Sequence, residues 1–361
     1  MKVLTHSKIQ SKESINLKSE KPVWWIKLTH WEFWPFNVFY FPLFFYYAWL
    51  CLKARSFFFF SASNPGIEYG GMLGESKIKI LDKFRDSHKP YTLLIEPDLK
   101  RNEFEKILQE SKLTYPFILK PDIGERGWMV KKISNSEQLD RYLSQIKVPF
   151  LLQELIESPV EMGVFYYRMP DEEFGKVTSI VLKEMMTVVG DGVSDIKTLL
   201  LKNPRSVITL DEIEKTSGEL FDYIPELGEE VEAVPIGNHC RGTTFLNGND
   251  LINEQVHRAV DTVAKQHDGF YFGRFDLRCD SLEDLAKGNF KIFELNGAGA
   301  EPAHIYQPGF SLLRAYRDLI FHQTLMYKIA RKNNQLGVPY MTVKEGLKLI
   351  KFLRHYNSMK G

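Results

Sequence analysis

Apolar positions follow three different patterns along this chain. From Tyr91 short apolar runs alternate with amphipathic ones: Tyr91 to Ile95 predicts a strand, Leu99 to Leu108 a helix, and Tyr115 to Lys120 and Trp128 to Ile133 strands around a turn with Gly124-Glu125-Arg126-Gly127. Ser134 and Glu137 have capping-box spacing and open a helix that runs to about Ile146. Phe150 to Leu155, Gly163 to Arg168 and Val177 to Val188 read as further strands, and so do Gly273 to Arg278 and Phe290 to Asn296. Near the end, Thr342 and Glu345 repeat the capping-box spacing. Leu347, Ile350 and Leu353 then share one face, with Lys344, Lys348, Lys351 and Arg354 largely away from it. Such a basic amphipathic helix either packs on the main body or lies on a membrane surface.

The first ninety residues have a different texture. Phe33 to Leu52 carries no charge and is as long as the ~20 residues that cross a bilayer as a helix. Pro35 and Pro42 would kink it, so a broken or re-entrant insertion is equally open, and so is a buried aromatic helix pair. Trp24, Trp25, Trp31, Trp34 and Trp49 flank the run, as rings at a headgroup boundary do, and residues 1–60 hold eight basic and three acidic side chains. After Phe57 to Phe60, the segment Ser61-Ala62-Ser63-Asn64-Pro65-Gly66, then Gly70, Gly71 and Gly74, reads as loop. The expected organisation is an aromatic, basic region over 1–90 that serves as a candidate membrane anchor, a catalytic unit over 91–310 and a helical tail over 311–361.

Composition narrows the classes. With 361 residues, 44% apolar and 26% charged, the chain is an ordinary globular one of two or three units. Lysine and arginine total 47 against 46 acids, so no net field gathers nucleic acid. Cys51, Cys240 and Cys279 lie far apart, which excludes a disulfide scaffold and points to a reducing, cytoplasmic compartment. Contact with a membrane's inner face through residues 33–60 is the expected attachment.

Candidate chemistry concentrates in two strands. Alternate side chains share a face, so Arg274 and Asp276 point together, as do Glu294 and Asn296. If the strands pair in register, the oxygens of Asp276, Glu294 and Asn296 suit Mg²⁺; a salt-bridged hairpin face is the bland alternative. Lys120 ends an apolar strand just before Gly124 and Gly127, where a lysine can neutralise phosphate and glycines let backbone N–H groups approach it. A solvated strand end explains that lysine equally well.

In order, PFILKPDIGERG, LLQELIESPVE, LKEMMTVVGDGVSDIKTLL, GRFDLR and FELNGAGAEP resemble the motifs of the ATP-grasp superfamily, in its carboxylate-amine ligase branch, over about Tyr115 to Pro308. The resemblance implies an α+β fold in which two α+β lobes sandwich ATP, with ATP and Mg²⁺, or Mn²⁺, as cofactors. It also implies small-molecule carboxylate and amine substrates. Carried over by position, Lys120 and Lys183 match the phosphate lysines and Gly124 to Gly127 the closing loop. Gln153, Glu154 and Ile156 match the adenine hinge, and Glu161 the ribose acid. Asp276, Glu294 and Asn296 match the metal ligands, and Arg274 the arginine at the acyl group. Val189-Gly190-Asp191-Gly192 resembles a turn of the cyanophycin synthetase branch, or is a tight hairpin turn. Arg241 and Arg278 are cations without a counterpart.

The expected chemistry is γ-phosphoryl transfer to a carboxylate, then attack by an amine on the acyl phosphate, with Arg274 and Lys183 acting at the reacting groups. Backbone N–H groups near Gly297 to Gly299 are the expected partners of Arg274 at the oxyanion. Ser61, Cys240 and His239 are not needed as nucleophiles. The alternatives are an ATP-grasp phosphotransferase with a hydroxyl acceptor, and a membrane-bound nucleotide-binding scaffold without turnover. The acid, the amine and the oligomeric state stay open.

Overall fold

A computed structural model describes residues 29–125, 127–202, 204–233 and 242–360. Trp24, Trp25, Arg126, His239, Cys240 and Arg241 therefore lie outside the described residues. The chain forms two compact units, residues 35–186 with 234–361, and residues 1–34 with 187–233. This division departs from the expected 1–90, 91–310 and 311–361, because residues 35–90 and the tail share one unit with the strands.

The larger unit opens with helix α1 (Phe36–Ala54) and the short helix α2 (Lys77–Leu81). A four-stranded antiparallel sheet follows, built from β1 (Thr92–Ile95), β2 (Phe117–Pro121), β3 (Lys131–Ile133) and β4 (Phe150–Glu154) in the order β1-β4-β2-β3. Helices α3 (Arg101–Ser111) and α4 (Ser136–Gln145) accompany it. The cap of α4 is Asn135, whose side chain accepts from Gln138 N at 2.9 Å, one residue later than the capping-box spacing suggested. Leu119, Phe117, Phe104, Leu139 and Phe150 close this sheet's core.

The second sheet has the order β11-β10-β5-β6-β9, from β5 (Val160–Tyr167), β6 (Lys176–Glu184), β9 (Thr244–Asn247), β10 (Phe272–Cys279) and β11 (Lys291–Asn296), all antiparallel. Period-two alternation sends its side chains to two places. Met162, Val164, Tyr166, Phe275 and Leu277 enter one core with Val256, Val260 and Val263 of helix α7 (Glu254–Ala264). On the opposite face, Phe165 and Phe272 join Leu50 and Cys51 of α1, Phe59 and Phe60, and Leu325, Met326 and Ile329 of helix α9 (Leu312–Gln335). A short helix α8 (Leu282–Lys287) links β10 to β11. The antiparallel sheets and flanking helices accord with the expected α+β class.

Three expectations change here. The aromatic run folds as α1, and no helix among the described residues is long and apolar enough to cross a membrane, so the spanning reading fails. The inner side of α1 is core, as the buried-helix reading expected. The strand expected over Val177 to Val188 breaks into β6 and β7 (Thr187–Val189). The final helix, α10 (Val343–Met359), keeps its capping box but buries Gly346, Leu349 and Tyr356, leaving Leu347 and Ile350 outside. Tyr356 OH donates to Ile123 O at 2.6 Å and a Cβ at Gly346 would strike the Phe58 ring, so these contacts select the face.

The smaller unit pairs β7 with β8 (Glu230–Glu232) and carries α5 (Ile196–Leu201) and α6 (Pro204–Ser217) between them. Gly190-Asp191-Gly192 thus starts a long connection and is no hairpin turn. Asp191 accepts from Ser194 N at 2.6 Å, Ser194 Oγ at 2.7 Å and Lys202 Nζ at 2.9 Å, and these donors hold its carboxyl below the usual range.

The segment after α1 is loop in shape but not in energetics. Buried Asn64 donates to Gly70 O at 2.9 Å and Phe272 O at 2.8 Å, and accepts from Tyr271 N and Phe272 N, both at 2.9 Å. Asn64→Ala would leave these backbone groups without their partner and cost about 3 kcal/mol or more, measured as a lower urea midpoint with an unchanged slope; a loss under about 1 kcal/mol would show that the tether is dispensable.

Candidate active site

The polar face of the second sheet is placed by strand register. Arg274 pairs with Asn296 and Asp276 with Glu294, and a bulge follows between Asp276 and Leu277. On the other side of β10, Asp276 lies opposite Gly163 and Arg278 opposite Glu161. A Cβ on Gly163 would come within 3.0 Å of Arg274 Cδ and 3.3 Å of Asp276 Oδ1, so this glycine makes room for both side chains.

Asp276 is the buried centre. Its Oδ2 accepts from Arg274 Nη2 at 3.0 Å and Asn296 Nδ2 at 2.8 Å. Its Oδ1 faces Lys183 Nζ at 3.0 Å as an ion pair but receives no hydrogen bond. Burial alone would raise the carboxyl's pKa; Arg274 and Lys183 outweigh it and hold the group below the ordinary value. For Lys183 the balance is similar: burial opposes the charge, while Asp276 and Glu161 restore it and leave its pKa raised. Arg274 also donates through Nη1 to Glu301 O at 3.2 Å, and its buried Nε has no hydrogen-bond partner.

The two sheets meet at this point. Lys120, at the end of β2, donates to Phe293 O in β11 at 2.9 Å. Burial pulls its pKa down to about 8, with Glu294 partly opposing the drop. Lys77 was not singled out from the sequence, yet its Nζ lies 2.6 Å from Gly124 O, 3.3 Å from Asp122 O and 3.9 Å from Glu294 Oε1. It therefore ties the Gly124 loop to the carboxylate strand. Gly127 keeps a left-handed φ of 70° in that loop.

The other expected residues fall around this centre. Glu161 is held from two sides: Lys183 Nζ lies 3.1 Å from Oε1, and Arg278 Nη2 and Nε lie 2.6 and 2.9 Å from Oε2. Arg278 thus balances a neighbouring acid, one of the two roles the sequence left open for it. Gln153 donates to Thr92 Oγ1 at 3.0 Å; Glu154 pairs with Lys291 of β11 at 3.0 Å; Ile156 O accepts from Arg278 Nη1 at 3.1 Å. Stretch 153–156 is in this way fastened to β10 and β11.

The oxyanion expectation needs correction. Ala298 N and Gly299 N donate to Gly70 O and Gly71 O, both at 2.9 Å, and Ala300 N donates to Gly297 O at 2.9 Å. These donors already have partners, because the backbone of 70–72 lies directly on 297–299: a Cβ on Gly297 would meet Gly70 O at 2.5 Å. A second residue not foreseen is Glu301, whose Oε2 accepts from Tyr306 OH at 2.6 Å, while Tyr306 OH lies 3.2 Å from Tyr40 OH of α1.

The donor set fits a hard divalent ion. Two carboxylates and an amide face one side of a hairpin, Asn296 engages Asp276 through its nitrogen, and buried Asp276 Oδ1 has only the Lys183 ammonium, at 3.0 Å, beside it. No three His, Cys, Asp or Glu side chains gather as a metal cluster among the described residues, so such an ion would need amide, water or substrate oxygens as well.

No protein-family model matches the chain, and no curated protein does. Solved structures similar to it include a D-alanine–D-alanine ligase from Bacillus anthracis, at 13% identity over 73% of this chain and 69% of that one, with a TM-score of 0.43. The VanG D-Ala:D-Ser ligase from Enterococcus faecalis is 14% identical over 72% of this chain and 62% of that one, with a TM-score of 0.40. The ATP-grasp ligase PsnB, complexed with minimal precursor, is 16% identical over 69% of this chain and 60% of that one, with a TM-score of 0.36. The chain spans less than two thirds of the length of the last two.

The pKa of Lys120 has a consequence for stability. Its folded value of about 8 lies below the ordinary 10.5, so the unfolded chain binds more protons between these values and stability must rise with pH across that window. The penalty of burying the charged lysine is complete below about 8. The urea midpoint of the parent should therefore gain on that of Lys120→Met from pH 8 upward in nucleotide-free protein; a pH-independent difference would mean that Lys120 titrates normally.

Proposed function

We propose that this face binds ATP and activates a carboxylate as an acyl phosphate for attack by an amine. The observation that carries the reading is the convergence of Lys77, Lys120, Lys183 and Arg274 on the paired Asp276 and Glu294 where the two sheets meet. Four cationic groups gathered at one point suit a polyphosphate brought in with its own cation. Held by Asp276, Glu294 and Asn296, Mg²⁺ supplies charge neutralisation of the phosphate oxygens when bound.

The chain's own residues supply the rest. Lys120 and Lys183 offset phosphate charge from either sheet, and Lys77 holds the Gly124 loop beside it. The carboxylate oxygen of the acid forms a bond to the γ-phosphorus as the β–γ bridging P–O bond breaks, leaving ADP. Arg274 orients that carboxylate and stabilises negative charge on the carbonyl oxygen when the amine nitrogen attacks. Collapse expels orthophosphate with the C–O electron pair. Glu301, braced by Tyr306, accepts the proton released by the amine.

Two measurements test the reading. During ATP turnover with a pool of candidate acids, hydroxylamine should trap a hydroxamate and Glu294→Gln should lower its yield about 10²-fold or more while melting near the parent temperature; ADP formed without hydroxamate points to a hydroxyl acceptor. Arg274→Lys, which replaces a directional fork by a point charge, should slow turnover more than tenfold and change ATP affinity less than about threefold. Equal losses in both would remove Arg274 from the acyl group.

A further inference from the structure

Helix α1 is apolar all round, yet only one side of it is core. Leu50 and Cys51 pack inward. Val38, Phe41, Phe45, Trp49 and Leu52, at i, i+3, i+7, i+11 and i+14, form an outward stripe, with Phe41 61%, Phe45 66% and Leu52 76% exposed. Helix α9 runs beside α1 in the same direction: Tyr316 OH donates to Phe39 O at 2.9 Å, Tyr46 OH meets Thr324 Oγ1 at 2.7 Å, and Lys53 Nζ lies 5.4 Å over the Tyr327 ring. Ile320 and Phe321, one turn before Thr324, are exposed, as is Leu313. The stripe therefore continues across both helices.

Its charge is one-sided. Lys53, Arg314, Arg317, Lys328, Arg331 and Lys332 are the basic residues of the two helices and Asp318 is the one acid. Asp318 is already engaged by His304 Nε2 at 3.2 Å and Arg317 Nε at 3.4 Å. Lys332 is likewise paired, with Asp171 Oδ2 at 2.7 Å, so a second copy of this face would set the remaining cations against like cations with both neighbouring acids already engaged. Anionic headgroups answer both features: phosphates for the lysines and arginines, and an acyl boundary for the aromatic stripe.

We propose that the α1–α9 face lies in the surface of an anionic bilayer, as a one-leaflet contact and not a span. It is independent of the chemistry proposed for the site. In co-sedimentation, the full-length protein should pellet with phosphatidylcholine–phosphatidylglycerol vesicles, pellet far less with phosphatidylcholine alone, and be released by salt. Phe41→Ser/Phe45→Ser/Trp49→Ser should weaken binding at least about tenfold. Lys53→Glu/Arg317→Glu/Lys328→Glu, at exposed positions that leave the core intact, should weaken it about a hundredfold and erase the preference for phosphatidylglycerol. Failure of the folded parent to pellet with either vesicle overturns the proposal. So does binding that neither triple variant changes, or a dimer in velocity sedimentation that the serine variant dissolves while the parent ignores vesicles.

Discussion

The buried Asp276 carboxylate is the constraint around which this molecule is arranged. Removing such a group from water is expensive, and a lone ion pair would not recover the loss. Here the charge is met from three elements at once: Arg274 on its own strand, Lys183 on β6 and Asn296 on β11. Lys183 in turn is shared with Glu161, which is shared with Arg278. The network is therefore one object whose members hold each other in place, and β5, β6, β10 and β11 cannot shift register without unpairing a buried charge. Gly163 belongs to the same constraint, because a side chain there would occupy the space that Arg274 and Asp276 need.

A second contact fastens the end of this network. The backbone of 70–72 lies on the backbone of 297–299 so closely that glycines are required on both sides, and Asn64 ties the same segment to Phe272 in β10. The result is a rigid exit from β11, just beyond Asn296. It removes two candidate oxyanion donors from chemistry, since Ala298 N and Gly299 N face carbonyls and not a ligand. In the proposed reaction, charge on the carbonyl would fall to Arg274, which still carries an unpartnered buried Nε. Glu301 lies at the end of the same exit, against Tyr306.

What could be read in the sequence was whatever depends on local period. Strands β10 and β11 show their polar residues two apart within apolar runs, so the shared face of Arg274 and Asp276, and of Glu294 and Asn296, followed from the pleat alone. Lys77, Asn64 and Glu301 carry no such mark. Each sits in a stretch that looks like loop or short helix, and matters only through partners far away in sequence: Gly124, Phe272 and, through Tyr306, Tyr40. The face of α10 was misread for a related reason. Its apolar residues allow two stripes, and the choice is made by Phe58 against Gly346 and by Tyr356 reaching Ile123 O.

The aromatic run illustrates why a hydrophobic segment does not by itself specify its solvent. Seen alone, twenty uncharged residues invite a span; folded, the inner side of α1 is consumed by Phe59, Phe165, Phe272 and α9, so the helix cannot be surrounded by lipid. Pro42 is tolerated inside α1 without ending it. Only the outward half is left to meet another phase, and it does so as a stripe with basic residues beside it. Tyr40, on the same helix, reaches Tyr306 and thereby the Glu301 end of the site. One helix thus joins the Glu301 end of the polar face, the aromatic core and the exposed apolar surface, so the proposed lipid contact and the proposed proton acceptor are linked through the two tyrosines.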